Sequence, residues 1–336
     1  MSLLGLTIDY GPFGFMDEYD PSWICNHSDN QGRYMFENQP KVALWNLSKL
    51  ATAMSPLVDV DDGAVAGAAG DGTGTASAST ANATESSTDD AGANGHGAEK
   101  LKVQLLQAIL NRFGTVFGFE YPKLMCAKIG FFDSVDANSR SAIVKDYDEF
   151  IIPLLKIMAV SKVDYALFFR ALSDHRVGEM PESKAETLIH DSVMLQCRGD
   201  KTLAESVVQD LRDWTLKYDV RLTRSTQTNT AADQLQRTQR MKSINPRYIL
   251  RNWICEDVIK KTTETFFNSS SASYNPQVNL SSLGQEVDRC MRIIVNDPYG
   301  LKPVEEYSDE NDREAAKRWS GPVPAWGKNL QCSCSS

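Results

Sequence analysis

Apolar residues recur at helical spacing through most of this chain, and only one short run alternates in the manner of a β-strand. In that run, residues 4–8, Leu4, Leu6 and Ile8 are separated by single small or polar residues. A period of two places side chains on one strand face, whereas a period near 3.6 places them on one helix face. The pattern therefore predicts a mainly α fold with a short β segment at the N-terminus.

The helical pattern also predicts where individual helices lie. The apolar stripes are Leu101/Leu105/Ala108/Ile109, residues 141–160 with an interruption at Pro153, residues 163–174, Leu203/Val207/Leu211/Trp214, Leu250/Ile254/Val258 and Leu283/Val287/Met291/Ile294. Gly114 is predicted to end the first helix, and Asn245-Pro246 to begin the helix that contains Leu250. Trp214 and Trp253 lie on apolar stripes, so both are predicted to be core residues.

Residues 59–98 differ in composition from the rest of the chain. They contain seven acidic residues, no Lys or Arg, no aromatic residue and two valines. Such a segment buries too little apolar surface to offset its ordering entropy, so it is predicted to be a disordered acidic insert. The chain is therefore predicted to consist of four parts: a first segment over residues 1–58, the insert over 59–98, a helical body over 99–320 and a flexible tail over 321–336.

Charge and hydropathy exclude two classes of partner. The net charge is −9, and nucleic-acid binding dominated by phosphate contacts needs a basic surplus. The locally basic stretch from Arg221 to Arg251 has few interleaved aromatic residues and is predicted to be a solvated helical face. No run approaches the roughly 18 apolar residues of a membrane-spanning helix, so no membrane span is expected.

Asp9 is the residue with the clearest chemical role. It ends the predicted strand and precedes the turn Tyr10-Gly11-Pro12-Phe13-Gly14. A carboxylate in this position is a common Mg²⁺ ligand, because Mg²⁺ prefers hard oxygen donors and shares itself between carboxylates and substrate phosphates. From spacing alone, an aspartate that only caps the following turn is the alternative.

A set of motifs in order along the chain resembles the selenoprotein O family. Residues 4–15 resemble the family segment that corresponds to the Asp-Phe-Gly motif of kinases. The further matches are Tyr19-Asp20-Pro21, Cys25-Asn26-His27-Ser28-Asp29, Gly32-Arg33-Tyr34, Trp45-Asn46-Leu47, Val163-Asp164-Tyr165, Phe168-Phe169-Arg170, residues 245–253 and Ser333-Cys334-Ser335-Ser336. The matches extend from end to end of the chain, apart from the insert.

This resemblance implies a fold and an activity. Family members have a protein-kinase-like (α+β) fold, are described as pseudokinases, and transfer AMP from ATP to Ser, Thr or Tyr hydroxyls of proteins (AMPylation). The chain is expected to form the helical C-terminal lobe of such a fold. Asp9 is then expected to bind Mg²⁺ and the ATP phosphates, and the partners are expected to be protein substrates.

The sequence also departs from the family pattern. The catalytic Asp-Asn pair, the Gly-rich loop and the nucleotide-binding Lys, which precede the Asp9 segment in the family, have no counterpart in these 336 residues. The chain is therefore expected to be truncated, to contain no catalytic residue, and to be inactive alone. The alternatives are a phosphate-transferring kinase lobe and a non-catalytic helical interaction protein with a redox-active cysteine tail.

The tail carries Cys332 and Cys334, separated by one residue. The family ending implies a redox role for this pair and a thiol–disulfide partner, while two ordinary reduced thiols are the alternative. Eukaryotic family members are mitochondrial, so the resemblance implies a mitochondrion, or the cytoplasm if an upstream transit peptide is absent.

Overall fold

The computed structural model describes residues 14–26, 28–57, 93–178, 187, 189–192, 201–225, 230–269, 284–328 and 330. Within these ranges the fold is mostly α-helical and contains no β-strand, in agreement with the predicted mainly α class. The strand predicted at residues 4–8 lies outside the described residues. None of the helices in the described ranges is long and apolar enough to span a bilayer.

The helices are α1 (Gln39–Met54), α2 (Ala93–Lys128), α3 (Phe132–Asp136), α4 (Arg140–Asp146), α5 (Ile152–Ser161), α6 (Tyr165–Leu172), α7 (Lys201–Ser225), α8 (Ala231–Lys242), α9 (Asn252–Ser269), α10 (residues 284–290) and α11 (Glu310–Trp319). Two π-helical turns, Tyr147–Ile151 and Met291–Val295, continue α4 into α5 and extend α10. Short 3₁₀ turns lie at Phe36–Asn38, Ser55–Leu57, Val304–Glu306 and Ala325–Gly327.

The chain divides into two compact units. One comprises residues 39–118 and the other comprises residues 1–38 and 119–336. In the smaller unit, α1 has no buried residue. The larger unit contains two hydrophobic clusters and all of the segments described below as the candidate site.

The first cluster of the larger unit forms around α5 and α7. Its aromatic centre is held by hydrogen bonds as well as by packing: the Trp214 indole donates to the Phe150 carbonyl at 2.9 Å, and the Tyr218 hydroxyl donates to the Ile129 carbonyl at 2.6 Å. The second cluster brings α9, α10 and α11 together around Trp253 and Trp319. Trp214 and Trp253 are both buried, which confirms their prediction as core residues.

Two predicted helix boundaries are wrong. The helix α2 continues through Gly114, because a solvent-facing glycine weakens a helix by about 1 kcal/mol without ending it; a Cβ at Gly114 would meet nothing within 4 Å. Asn245-Pro246 does not begin a helix, since α9 begins at Asn252. The Asn245 side chain is fully buried and bonds to other segments of the fold instead of capping a helix.

The last predicted stripe is also wrong in part. Ile294 is buried as predicted, but Val287 and Met291 are exposed. The π turn Met291–Val295 explains the difference, because a wider turn rotates the following residues relative to an ideal helix. Ile293 and Ile294 thereby face the core, and Leu283 lies outside the described residues.

The basic stretch is only in part the solvated helical face that composition predicted, because Arg224 is exposed but several of the other arginines are not. Arg237 and Arg251 are buried, and each is engaged by other parts of the fold. Arg221 lies over the Phe131 ring and binds Asp146. These side chains serve the interior of the protein, because an arginine can be buried where carboxylates, carbonyls and rings meet its planar group.

Candidate functional site

The residues predicted to carry chemistry lie outside the described residues. This applies to Asp9 and to the thiol pair Cys332 and Cys334. Their roles stay predictions, as do the predicted domain boundaries. What the structure describes is the segment that follows Asp9 in the chain, residues 14–20, and the surroundings that hold it.

Backbone pairing attaches residues 14–20 to the start of α6. Glu18 and Asp164 form an antiparallel bridge. The Tyr19 amide donates to the Val163 carbonyl at 2.9 Å, and the Tyr165 amide donates to the Asp17 carbonyl at 3.1 Å. The segment immediately after the predicted metal-binding turn is therefore fixed to the helical body by main-chain hydrogen bonds.

Arg251 adds a buried charged contact at the same place. Its guanidinium group donates to both carboxylate oxygens of Asp164, at 2.5 and 2.8 Å. Its Nη1 also lies 3.4 Å from Oδ1 of Asp17. Arg251 is only 5% exposed, so one buried cation serves two carboxylates. Asp164 is in turn the N-cap of α6, accepting from the Leu167 amide at 3.0 Å.

A second hydrogen-bonded cluster is centred on Asn245. The Asn245 amide group donates to the Lys128 carbonyl at 2.8 Å and its Oδ1 accepts from Lys128 Nζ at 3.0 Å. Arg170 donates to the carbonyls of Lys242 and Asn245, both at 2.9 Å. Arg251 thus contacts the segment 14–20 directly, whereas Arg170 and Asn245 join the ends of α2, α6 and α8 to one another.

A cavity of about 210 Å³ lies against residues 15–20. The remaining walls come from Trp23, Lys162 and Asn252, and from Val323, Lys328 and Leu330 near the C-terminus. Its wall contains two ion pairs, Lys162 to Asp20 at 2.7 Å and Lys328 to Glu18 at 3.0 Å. The first and last described segments of the chain therefore meet at one cavity, next to the segment that continues from Asp9.

Asp17 is the electrostatically unusual residue of this cavity. Burial raises the pKa of its carboxyl to about 6 from an ordinary value of 3.8, although Arg251 opposes the shift. The negative charge of Asp164 adds to the increase. Within the described part of the chain, Oδ1 of Asp17 is buried and accepts no hydrogen bond. The ionised form of Asp17 is thus poorly solvated in the folded protein.

This shift predicts a pH-dependent contribution to stability. Because the folded-state pKa is raised, folded Asp17 holds its proton where the unfolded chain has released it. The stability that Asp17 contributes is fully present below about pH 4 and is lost as the pH rises to about 6. The free energy of unfolding changes by on the order of 1–3 kcal/mol over this range. Asp17→Asn should remove this dependence of the free energy of unfolding on pH. The measurement is urea unfolding of the unmodified chain and of Asp17→Asn between about pH 4 and pH 8. If the free energy of unfolding changes equally with pH in both proteins, Asp17 is not the source of the pH dependence.

A larger cavity lies away from this site, between α4 and α7. Its volume is about 810 Å³, and Arg221 lies in its wall. The guanidinium group of Arg221 is occupied by Asp146, Asp133 and Ser134. The volume of this cavity does not by itself indicate a chemical function. The candidate site therefore remains the region around residues 14–20.

Comparison with known proteins identifies the family. A family model described as "Protein adenylyltransferase SelO" matches residues 1–277. This chain belongs to the SelO family. The match spans Asp9 and the segments that Arg251 and Asn245 connect, and it confirms the resemblance that the motifs indicated.

Individual SelO relatives cover the whole chain. Proteins named "Protein nucleotidyltransferase YdiU" from Photobacterium profundum and Salmonella arizonae are 29% and 30% identical to it over 336 residues each. A YdiU protein from Vibrio vulnificus is 29% identical over 337 residues. All of this chain is covered in each case, but only 48–49% of the relative. The chain thus spans about half the length of these relatives.

Sequence reasoning missed Arg251 and Asp17 as residues of the site. Arg251 was placed on a solvated face, although it lies within a motif shared with the family. Its position in that motif was the available signal. Asp17 gave no signal, because its raised pKa arises from burial and from a carboxylate 147 positions away in the sequence, Asp164.

Proposed function

We propose that this SelO-family chain contributes the Mg²⁺- and ATP-binding segment of a protein adenylyltransferase, an enzyme that transfers AMP from ATP to Ser, Thr or Tyr hydroxyls. The observation that carries the proposal is the contact among three family-like segments. Residues 17–19, 163–165 and 251–252 meet around the continuation of the Asp9 turn. Family membership over residues 1–277 supports it.

The fold proposed for the complete protein is protein-kinase-like. The mostly helical body is consistent with the C-terminal lobe of that fold, and the predicted strand at residues 4–8 would pair outside this body.

The proposed metal ligand is Asp9. The described residues contain no group of three or more His, Cys, Asp or Glu side chains that could hold a metal ion. A single carboxylate suits Mg²⁺, which commonly takes one or two protein carboxylates and completes its shell with phosphates and water. When bound, Mg²⁺ would neutralise charge on the ATP phosphates.

The role of this chain's described residues is to hold Asp9 in place. Arg251 and Asp164 fix residues 17–19, and the backbone bridge fixes their direction. A carboxylate attached to an anchored segment needs less ordering when metal and nucleotide bind, which favours binding. The general base is proposed to belong to sequence that this chain does not contain, so residues 1–336 alone should not transfer AMP.

Protein hydroxyls are the proposed acceptors, and the mitochondrion is the proposed location, with the cytoplasm as the alternative. Both proposals come from family resemblance. The thiol pair Cys332 and Cys334 is proposed to exchange with a disulfide partner.

The proposal is tested by supplying the missing sequence. Residues 1–336 are joined to the part of the Photobacterium profundum relative that the chain does not cover, forming what is called here the joined protein. With ATP and Mg²⁺, the joined protein should incorporate label from α-labelled ATP into protein and none from γ-labelled ATP. The chain alone should incorporate neither label.

The relative itself is the positive control for the assay, and circular dichroism checks that the joined protein is folded. A folded joined protein that transfers the γ-label would indicate phosphate transfer and contradict the proposal. Incorporation of α-label by residues 1–336 alone would show that these residues suffice, and would contradict the proposed location of the general base.

A further inference from the structure

The wall of the large cavity between α4 and α7 contains a row of cations. Lys217, Arg221 and Arg224 all line this cavity, whose volume is about 810 Å³. They are spaced four and three residues apart on α7, so they lie on one face of that helix. Like charges at this spacing repel one another. A negative charge is therefore needed beside the row, and the contacts of each cation show where it is missing.

Arg221 has its negative partner and is held in one orientation. Its Nε and Nη2 donate to the two carboxylate oxygens of Asp146 at 2.8 and 2.7 Å, and its guanidinium group lies 4.6 Å from the centre of the Phe131 ring. Within the described part of the chain, its third nitrogen, Nη1, donates no hydrogen bond and is not among the buried polar atoms that lack a partner. A rigidly held guanidinium group thus keeps one accessible donor at the cavity.

The acidic residues of the wall are already bound to cations. Asp133 and Asp146 both contact Arg221, at 3.0 and 2.7 Å. Glu149 lies 3.9 Å from Lys145. These three are the carboxylates that line the cavity, so the wall supplies no further negative charge to the other two cations of the row.

Lys217 and Arg224 are the cations without a negative partner. Both are exposed, and neither forms an ion pair or a hydrogen bond with a residue in the ranges that the structure describes. They lie seven residues apart on α7, about 10 Å along the helix axis, with Arg221 between them. The cavity therefore has two uncompensated positive charges on either side of a fixed guanidinium donor.

The same wall also exposes apolar surface. Leu216 and Val220 line the cavity and are 54% and 51% exposed, and Phe150 and Ala142 line it as well. Cavities of about 300–1,000 Å³ that combine apolar walls with a few polar groups are typical of sites for small molecules. The combination fits a ligand with an apolar body and a negatively charged group.

We propose that this cavity binds a small organic phosphate, with its apolar body against Leu216 and Val220 and its phosphate group at Arg221 and Arg224. A phosphate suits these residues better than a carboxylate, because it has up to two negative charges and enough oxygens to accept from two guanidinium groups at once. Lys217 adds a further positive charge. The site does not depend on the proposed transfer of AMP, since none of these residues belongs to the region around residues 14–20.

Isothermal titration calorimetry of residues 1–336 with naphthyl phosphate tests the ligand class. Naphthyl phosphate should bind about tenfold or more tightly than naphthol, which lacks the charge, and than inorganic phosphate, which lacks the apolar body. Naphthoate should bind more weakly than naphthyl phosphate. No binding of naphthyl phosphate, or equal affinity for naphthol or inorganic phosphate, would overturn the proposal. Equal affinity for naphthoate would overturn the assignment of a phosphate.

Charge variants test the location of the site. The double variant Lys217→Gln/Arg224→Gln should raise the dissociation constant of naphthyl phosphate by about tenfold or more, because it removes both uncompensated cations. Lys260→Gln is the matched control, since Lys260 is an exposed cation on another helix, with 74% of its side chain accessible. It should leave the dissociation constant unchanged. Equal affinities of the double variant and the unmodified chain would place the binding elsewhere.

Glu149→Gln changes the affinity in the opposite direction. Removal of this negative charge from the wall should lower the dissociation constant of naphthyl phosphate by about two- to fivefold. The double variant should melt at or above the temperature of the unmodified chain in circular dichroism, because Lys217 and Arg224 bind no acid of the described fold. A double variant that melts at a clearly lower temperature, or a Glu149→Gln protein that binds more weakly, would show that these charges support the fold instead and overturn the proposal.

Discussion

Replacement of Arg251 by glutamine is expected to destabilise the chain by about 3–5 kcal/mol, because it leaves two partly buried carboxylates without their cation. Arg251 bonds both oxygens of Asp164 and lies 3.4 Å from Asp17. Glutamine can donate to one carboxylate but carries no charge. The free energy of unfolding, measured with urea at neutral pH, checks this, and a change of this size would shift the unfolding midpoint clearly.

A matched control exists elsewhere in the larger unit. Arg240 also bonds an aspartate, Asp136, with two nitrogens, at 2.9 and 2.7 Å. These two side chains are 40% and 57% exposed, and exposed pairs typically contribute less than about 1 kcal/mol. Arg240→Gln should therefore have a small effect. If the two variants lose equal stability, burial is not what makes Arg251 important.

Replacement of Asp9 by alanine in the joined protein is expected to lower AMP incorporation by about 100- to 1,000-fold, the usual effect of removing one well-placed electrostatic group. Alanine removes the proposed Mg²⁺ ligand. Asp9→Asn should be nearly as damaging, because a neutral amide is a weaker ligand for a hard cation than a carboxylate. The measurement is the initial rate of label transfer from α-labelled ATP to protein.

Asp148→Ala serves as the control for Asp9. Asp148 is exposed on the π turn before α5, so its loss should not change the rate. Raising the Mg²⁺ concentration should partly restore Asp9→Asn if the lost function is metal binding. An Asp9→Ala protein with an unchanged rate would exclude Asp9 as the metal ligand and return it to the alternative role of capping the following turn.

Local periodicity predicted several parts of the fold. The helical stretch 141–160 with its interruption at Pro153 corresponds to α4, a π turn and α5, and the stretch 163–174 corresponds to α6. Trp214 and Trp253 were placed in the core by the apolar stripes that contain them. These features could be predicted because spacing along a helix decides which face a side chain joins.

Features that depend on distant residues were not predicted from periodicity. Asn245 looked like a helix cap, but it bonds Lys128, which lies 117 positions earlier in the chain. Val287 and Met291 belong to a predicted core stripe but are exposed, and the π turn that begins at Met291 places Ile293 and Ile294 in the core instead. Such outcomes depend on which partners the tertiary structure brings near, and a local pattern carries no information about them.

The sequence by itself determined the family and the helical class, because these depend on residue identity and short-range order. Only the tertiary structure decided that Arg251 is a buried cation shared by Asp17 and Asp164, that the pKa of Asp17 is raised, and that Met291 faces solvent. Burial and charge separation are properties of residues brought together from distant positions, so they arise only when the chain has folded.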